Sequence, residues 1–198
     1  MGNEVIFRSS LAVVSALLAC IRFYYGWLAS RSSEKISTKT RSAGRVSLSL
    51  IWFFGLLGAF ASTLYIVAPD WLKWARLSLP AWLRWSGIGL GAVTVLLFWW
   101  VHQALGKNWA MPVVIKKDQT LVTTGPYRWV RHPMYTSIFV WALAYFLMSA
   151  NWFIGATWLG LGLLAVRVAE AEEAALTEKF GEAYRVYIRR TGRFLPRW

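Results

Sequence analysis

Five apolar segments alternate with short polar and basic stretches along this chain. The segments cover residues 5–28, 46–68, 81–105, 134–149 and 152–168. A helix needs about 20 mostly apolar residues to cross a hydrocarbon core of roughly 30 Å, so the first three are long enough to span a membrane. The last two are short and are separated only by Ala150 and Asn151, which predicts a tight helical hairpin packed against other helices. The pattern therefore predicts an all-α, polytopic membrane protein of about five transmembrane helices.

The composition supports a membrane protein and limits the classes of partner that we expect. The 198 residues are 57% hydrophobic and 17% aromatic, which is more apolar surface than one soluble core can bury. The net charge of +13 comes from basic residues placed between apolar runs, so we expect membrane lipids with anionic headgroups as partners and no nucleic acid. One cysteine and two histidines provide no cluster of metal ligands, and we predict no metal site.

The distribution of Lys and Arg predicts the orientation. Basic residues concentrate in the loops at 30–45 and 106–132 and in the tail from residue 167, whereas the loop at 69–84 has few. Because basic loops stay on the cytoplasmic side, we predict an N-terminus outside and a C-terminus in the cytosol. An outer interfacial belt of tryptophans is then expected at Trp71, Trp74, Trp82 and Trp85.

The first apolar run allows a second interpretation. It follows Arg8 and passes through Cys20, a pattern that a lipidated signal peptide also shows. The run continues beyond Cys20 to Trp27, as a retained first span does.

One candidate site is the stretch GPYRWVRHPMY at residues 125–135. Its Gly-Pro pair predicts a turn, and Pro133 is suited to the first position of a helix. Arg128, Arg131 and His132 therefore lie just before the fourth span. Cations beside the free N–H groups of a helix N-terminus make an anion site at the membrane surface.

A second candidate site follows the fifth span at residues 167–190. Five of the nine acidic residues fall within it: Glu170, Glu172, Glu173, Glu178 and Glu182. At about 100° per residue, Glu173 shares the apolar face of this amphipathic segment with Leu176, Thr177, Phe180, Tyr184 and Tyr187. A carboxylate on an inward face needs a cationic partner, and the hairpin brings it near Arg131 and His132. We predict that the two stretches face each other across one pocket.

Together the two stretches resemble the signature of the isoprenylcysteine carboxyl methyltransferase family, a branch of the group that includes phospholipid methyltransferases. The resemblance covers residues 105–198 and includes an LG-x-x-W element at 105–109, whereas the first two spans match only in hydropathy. It implies a single integral membrane domain, with N-terminal spans at 1–104 and a methyltransferase-like catalytic region with a cytosolic cofactor site at 105–198.

The resemblance also implies an activity, S-adenosyl-L-methionine-dependent methyl transfer to a lipophilic or prenylated acceptor from the bilayer, most simply an isoprenylcysteine α-carboxylate. The residues at the family's cofactor-binding positions are Pro126, Tyr127, Arg131, His132, Tyr135, Glu172 and Glu173. For catalysis the resemblance points to His132 and Arg131, with Arg189 or Arg190 orienting an acceptor carboxylate. A glutamate can hold the donor's ammonium or ribose, and a carboxylate acceptor needs no base. We expect Glu173→Gln and His132→Ala to weaken donor binding and leave the fold intact.

Other functions stay open at this point. A membrane sterol or lipid reductase using NADPH carries a similar Arg-His-x-x-Tyr element, and a phospholipid amine N-methyltransferase belongs to the same wider group. A non-catalytic membrane scaffold is the third alternative. The pattern EE-x-x-L-x-x-x-F-G-x-x-Y at residues 172–184 favours the methyl donor over the nicotinamide cofactor.

Overall fold

The computed structural model describes residues 2–31, 45–106 and 120–197, which form six α-helices and two short 3₁₀ segments. The helices are α1 (Gly2–Arg31), α2 (Arg45–Val67), α3 (Ala81–Leu105), α4 (Pro133–Ser149), α5 (Trp152–Phe180) and α6 (Glu182–Arg190). The 3₁₀ segments are Pro69–Ala75 and Gly125–Arg128. Within these ranges the chain forms no strand beyond two isolated bridges, which confirms the all-α prediction.

Four of the helices are long and apolar enough to cross a membrane: α1, α2, α3 and α5. Their outer faces expose large apolar side chains, and Phe23, Leu56, Phe60 and Leu96 are each more than 60% exposed. Such side chains are stable where lipid replaces water. The prediction of a polytopic membrane protein is therefore confirmed.

The fourth apolar helix, α4, has only 17 residues, a length of about 25 Å. It packs between α3 and α5, while α1 packs on α3 and α2 on α5. The approach to α3 is close, because a Cβ added to Gly87 would lie 2.8 Å from Leu147 Cβ. Tyr145 and Met148 of α4 are almost fully buried in the resulting core. A short span is thus shielded by its neighbours, as its length predicts.

The turn between α4 and α5 has the tight form that the sequence predicts. Ala150 ends α4 in the left-handed conformation, with φ of 47°. The side chain of Asn151 then accepts hydrogen bonds from the N–H groups of Phe153 and Ile154 at 3.1 and 3.2 Å. An N-cap of this kind satisfies donors that a helix start leaves without partners. The hairpin brings the start of α4 beside the second half of α5.

Helix α5 is longer than the apolar segment that predicts it. It continues past Val168 to Phe180, because residues 169–180 are mostly strong helix formers without glycine or proline. Gly181, with φ of 56°, ends the helix. Tyr184 and Tyr187, expected on the same helical face as Glu173, therefore belong to α6, but both are buried against the site.

Two predicted features fall largely outside the described ranges. Residues 32–44 contain most of the first basic loop, and residues 107–119 contain most of the LG-x-x-W element and the start of the second basic loop. The orientation across the membrane stays a prediction.

Candidate functional site

The first candidate stretch forms the entry to α4. Gly125, with φ of 60°, begins the 3₁₀ turn, and a Cβ there would lie 3.1 Å from Ala104 Cβ near the end of α3. The turn buries Pro126 and Tyr127. The chain then extends through Arg131 to His132, which occupies the N-cap position of α4. Two neighbouring cationic residues are thereby held at the start of a helix, as the Gly-Pro turn and Pro133 predict.

Glu173 of α5 is the centre of this site. Its Oε1 atom lies 2.9 Å from Arg131 Nε and 3.1 Å from His132 Nε2. Its Oε2 atom lies 2.8 Å from Arg193 Nη2, and the side chain is only 14% exposed. The structure thus brings together the basic and acidic stretches, which are about forty residues apart in sequence.

Arg193 belongs to a segment that we call the C-terminal strap, Thr191–Phe194. The strap lies beside the first stretch, where Arg131 N donates to Gly192 O at 2.9 Å and His132 N donates to Arg193 O at 3.0 Å. Arg131 also donates through Nη1 to the carbonyls of Ile188 and Thr191. The guanidinium of Arg131 therefore joins α5, α6 and the strap.

Arg193 is the residue of this site that sequence reasoning missed. It lies 20 residues beyond Glu173 and outside both α5 and α6, so helical periodicity does not relate the two. The available signal was the sequence TGRFLP, in which a glycine and a proline mark a chain leaving its helix. That signal indicates an irregular segment but does not indicate its direction.

Glu172 has a different environment from Glu173. Its Oε2 atom lies 3.5 Å from His132 Nδ1, and its side chain is 25% exposed. Burial raises the pKa of Tyr127 well above its usual range, and the negative charge of Glu172 raises it further. The ring of Tyr135 stacks on that of His132 at 5.4 Å between centroids. A carboxylate, two phenols and an imidazole therefore surround one region beside the Glu173 cluster.

The remaining predicted residues lie at the edge of this region. Arg128 is exposed on the turn before α4, and Arg190 is exposed at the end of α6. Arg189 is also exposed and pairs with Glu182 at 2.8 Å rather than with Glu173. The structure thus brings Pro126, Tyr127, Arg131, His132, Tyr135, Glu172 and Glu173 together, and it places Arg189 and Arg190 on the outer surface of α6.

The charge state of His132 should make stability depend on pH. Burial disfavours the charged ring, but hydrogen bonds and charges from Glu172 and Glu173 outweigh burial and raise the pKa of His132. Because the folded protein binds the His132 proton more tightly than the unfolded chain does, protonation stabilises the fold below the ordinary histidine pKa of about 6.5. This stabilisation is lost as pH rises through the pKa of His132 in the folded protein. We expect the Tm difference between wild type and His132→Gln to be largest near about pH 5.5 and to shrink towards about pH 8.5.

Thermal unfolding of both detergent-solubilised proteins across this range measures the difference. A Tm difference that stays constant or grows with pH would contradict a protonated His132 between the two carboxylates.

Residues 88–178 match the model of a known family, described as the isoprenylcysteine carboxyl methyltransferase (ICMT) family. The match begins within α3 and ends just beyond Glu173. It includes the whole 125–135 stretch and both Glu172 and Glu173. The resemblance predicted from the two motifs is therefore confirmed.

Individual relatives share the same part of the chain. Protein-S-isoprenylcysteine O-methyltransferase of Schizosaccharomyces pombe is 36% identical over 83 residues, which are 40% of this chain and 34% of that protein. The Homo sapiens protein of the same name is 35% identical over 94 residues, 46% of this chain and 33% of that protein. Nickel-cobalt-cadmium resistance protein NccN of Alcaligenes xylosoxydans is 32% identical over 112 residues, 56% of this chain and 52% of that protein. The chain thus spans about a third to a half of the length of these relatives.

Proposed function

Because residues 88–178 match the model of the isoprenylcysteine carboxyl methyltransferase family, we propose that the protein is an S-adenosylmethionine-dependent methyltransferase. The proposed acceptor is a lipophilic molecule with an isoprenylcysteine-type α-carboxylate, which enters from the bilayer. The proposed site faces the cytosol, as the distribution of basic residues predicts.

The observation that carries this proposal is the convergence of the two family motifs on Glu173. Arg131 and His132 come from the first stretch and Arg193 comes from the strap, and all three approach one carboxylate within 3.1 Å. This arrangement orders the start of α4, the second half of α5 and the strap around a single region. Methyl transfer depends mainly on positioning and on exclusion of water, and three charged contacts to one carboxylate that is only 14% exposed favour fixed positions for these side chains.

The side chains beside the cluster fit the methyl donor. Glu172 offers a partly exposed carboxylate, which suits an ammonium group or ribose hydroxyls. Tyr127 and Tyr135 offer buried aromatic rings and hydroxyls, and an aromatic face suits a sulfonium cation. When bound, S-adenosylmethionine supplies an activated methyl group. We assign Glu172, Tyr127 and Tyr135 to holding the donor, and Glu173, Arg131 and Arg193 to positioning these groups.

The protonation state of His132 affects which class of methyl acceptor the site favours. Its two ring nitrogens face Glu172 and Glu173, and the raised pKa favours the protonated ring. An imidazolium held between two carboxylates does not accept a further proton, so it is a poor general base. An amine or thiol acceptor requires loss of a proton, whereas a carboxylate acceptor does not. This favours a carboxylate and assigns His132 to orienting the donor.

Ligand binding tests the class of the enzyme first. Calorimetric titration of the detergent-solubilised protein should show saturable binding of S-adenosylhomocysteine and no binding of NADPH. The proposed partners of the donor have carboxylate and phenol groups, which suit the ammonium and ribose hydroxyls of S-adenosylhomocysteine better than a polyphosphate. Binding of NADPH alone would indicate a membrane sterol or lipid reductase. Binding of neither ligand would indicate a non-catalytic membrane scaffold.

The acceptor is tested with the same preparation and a radiolabelled methyl donor. N-acetyl-S-farnesylcysteine with a free carboxylate should become labelled, and its carboxamide, which differs only at the reacting group, should not. Phosphatidylethanolamine serves as the amine acceptor. If only phosphatidylethanolamine becomes labelled, the proposed carboxylate acceptor is excluded, but the proposal that the protein is a methyltransferase stands.

A further inference from the structure

A second polar cluster lies at the other end of the helix bundle. Arg84 Nη1 of α3 lies 2.7 Å from Glu4 Oε2 of α1, and Tyr65 of α2 donates its hydroxyl to Glu4 Oε1 at 2.8 Å. Arg84 also donates through Nη2 to the carbonyl of Met148, near the end of α4, at 2.7 Å. Since the candidate site lies at the start of α4, the length of this helix, about 25 Å, separates the two clusters.

An open cavity of about 940 Å³ lies beside this second cluster. The start of α1, the end of α2, the 3₁₀ segment and the turn between α4 and α5 surround it. Its charged lining consists of Glu4, Arg8, Asp70, Lys73, Arg76 and Arg84. Four cations against two carboxylates leave an excess of two positive charges.

The excess charge can be assigned to particular residues. Glu4 is shared by Arg84 and, at 3.4 Å, by Arg76, and Asp70 pairs with Lys73 at 2.9 Å. Arg8 donates through Nε to the carbonyl of Ile66 at 2.9 Å, and it forms no ion pair within residues 2–31, 45–106 and 120–197. The positive charges of Arg8 and the exposed Arg76 are therefore the ones that carboxylates of the cavity do not fully neutralise, and these two residues can bind an anionic ligand.

The surroundings of the cavity place it at the level of lipid headgroups. Exposed tryptophans surround this end of the bundle, with Trp71, Trp74 and Trp82 exposed by 75%, 61% and 70%. Tryptophan is enriched where the hydrocarbon core meets water and headgroups. A ligand of the cavity is therefore most accessible from the headgroup layer.

We propose that this cavity binds the phosphate group of an anionic phospholipid, held by Arg8 and Arg76. The planar guanidinium forks of arginine match phosphate oxygens in geometry and charge. An excess of two positive charges favours a headgroup with net negative charge over a zwitterionic one, which brings a cation of its own. Arg84 stays paired with Glu4 and forms the buried wall of the site.

Binding of short-chain lipids to the full-length protein in detergent tests the proposal. Dihexanoyl phosphatidylglycerol should bind roughly tenfold or more tightly than dihexanoyl phosphatidylcholine at low salt. The difference should shrink as salt rises, because the contacts are charged and partly exposed. Inorganic phosphate, titrated in parallel, distinguishes a lipid headgroup from a free anion.

Substitutions then locate the binding. The double variant Arg8→Gln and Arg76→Gln should weaken phosphatidylglycerol binding by roughly tenfold or more. Arg185→Gln, which removes the same kind of charge from an exposed position on α6, is the matched control and should bind normally. If the double variant does not fold, Arg76→Glu alone, at a side chain that is 57% exposed, should give the same loss.

Three results would overturn the proposal. The first is equal affinity for the two lipids, and the second is unchanged affinity in the folded Arg8 and Arg76 variants. The third is inorganic phosphate binding as tightly as phosphatidylglycerol, because the cavity would then be a site for a free anion. None of these results depends on methyl donor binding, so the two proposals fail independently.

Discussion

Glu173→Gln should lower both the affinity for S-adenosylhomocysteine and the stability of the folded protein. The carboxylate accepts from Arg131, His132 and Arg193, and a neutral amide removes the negative charge that these three groups share and replaces one acceptor oxygen with an N–H donor group. Removing one member of a buried ion pair costs roughly 3 kcal/mol or more. We expect a loss of about 3 kcal/mol in the free energy of unfolding and at least roughly tenfold weaker donor binding. The structure thus gives a reason to expect a loss of stability, whereas the sequence alone suggested an intact fold.

Glu172→Gln is the matched control, since it is the same substitution one residue earlier. Glu172 is more exposed than Glu173 and faces His132 at a longer distance of 3.5 Å. Its loss should therefore reduce stability by about 1 kcal/mol or less while weakening donor binding to a similar extent. The pair of variants separates a residue that holds the donor from one that positions its neighbours.

Calorimetric titration and denaturant unfolding in detergent measure these two effects. Equal stability of the two variants would contradict the positioning role of Glu173. Normal donor affinity in both folded variants would contradict the assignment of the site.

Gly192→Ala should detach the C-terminal strap. A Cβ at this position would clash with the backbone carbonyl of Leu195, and the backbone must move to relieve the clash. That movement would disrupt the hydrogen bonds from Arg131 N and His132 N to the strap and would displace Arg193 from Glu173. We expect a loss of about 2 kcal/mol or more in stability and weaker donor binding of at least roughly tenfold.

Gly89→Ala is the control for this substitution, because a Cβ at Gly89 meets no atom within 4 Å. Both variants add one methyl group, but only Gly192→Ala places it against backbone. Limited proteolysis should cut the C-terminal segment faster in Gly192→Ala than in wild type or Gly89→Ala. Identical cleavage and identical donor affinity in the two variants would show that the strap tolerates the methyl group.

The membrane helices and the hairpin could be predicted from the sequence for a physical reason. A span must be apolar over a length that the bilayer sets, and this is a local property of the chain. The Ala150 and Asn151 turn was equally local, since two residues between helices leave few conformations. The inward direction of Glu173 followed from its apolar face in α5. The hairpin between the fourth and fifth spans then predicted that Arg131 and His132 lie near Glu173.

Other features depended on how distant segments pack. Glu172 and Glu173 are adjacent in sequence and both contact His132, yet only Glu173 also pairs with Arg131 and Arg193. About 100° of helical rotation separates the two side chains, and the positions of α4 and the strap decide which carboxylate is enclosed. The break between α5 and α6 at Gly181 was not predicted, because a single glycine does not always end a helix.

The sequence by itself thus determined the spans, the hairpin and the two stretches that form the candidate site. The tertiary structure decided that Arg193 completes the Glu173 cluster and that Glu4 pairs with Arg84, 80 residues away. Hydropathy and helical period report only on neighbouring residues, whereas an ion pair between separate elements exists only after those elements have packed together.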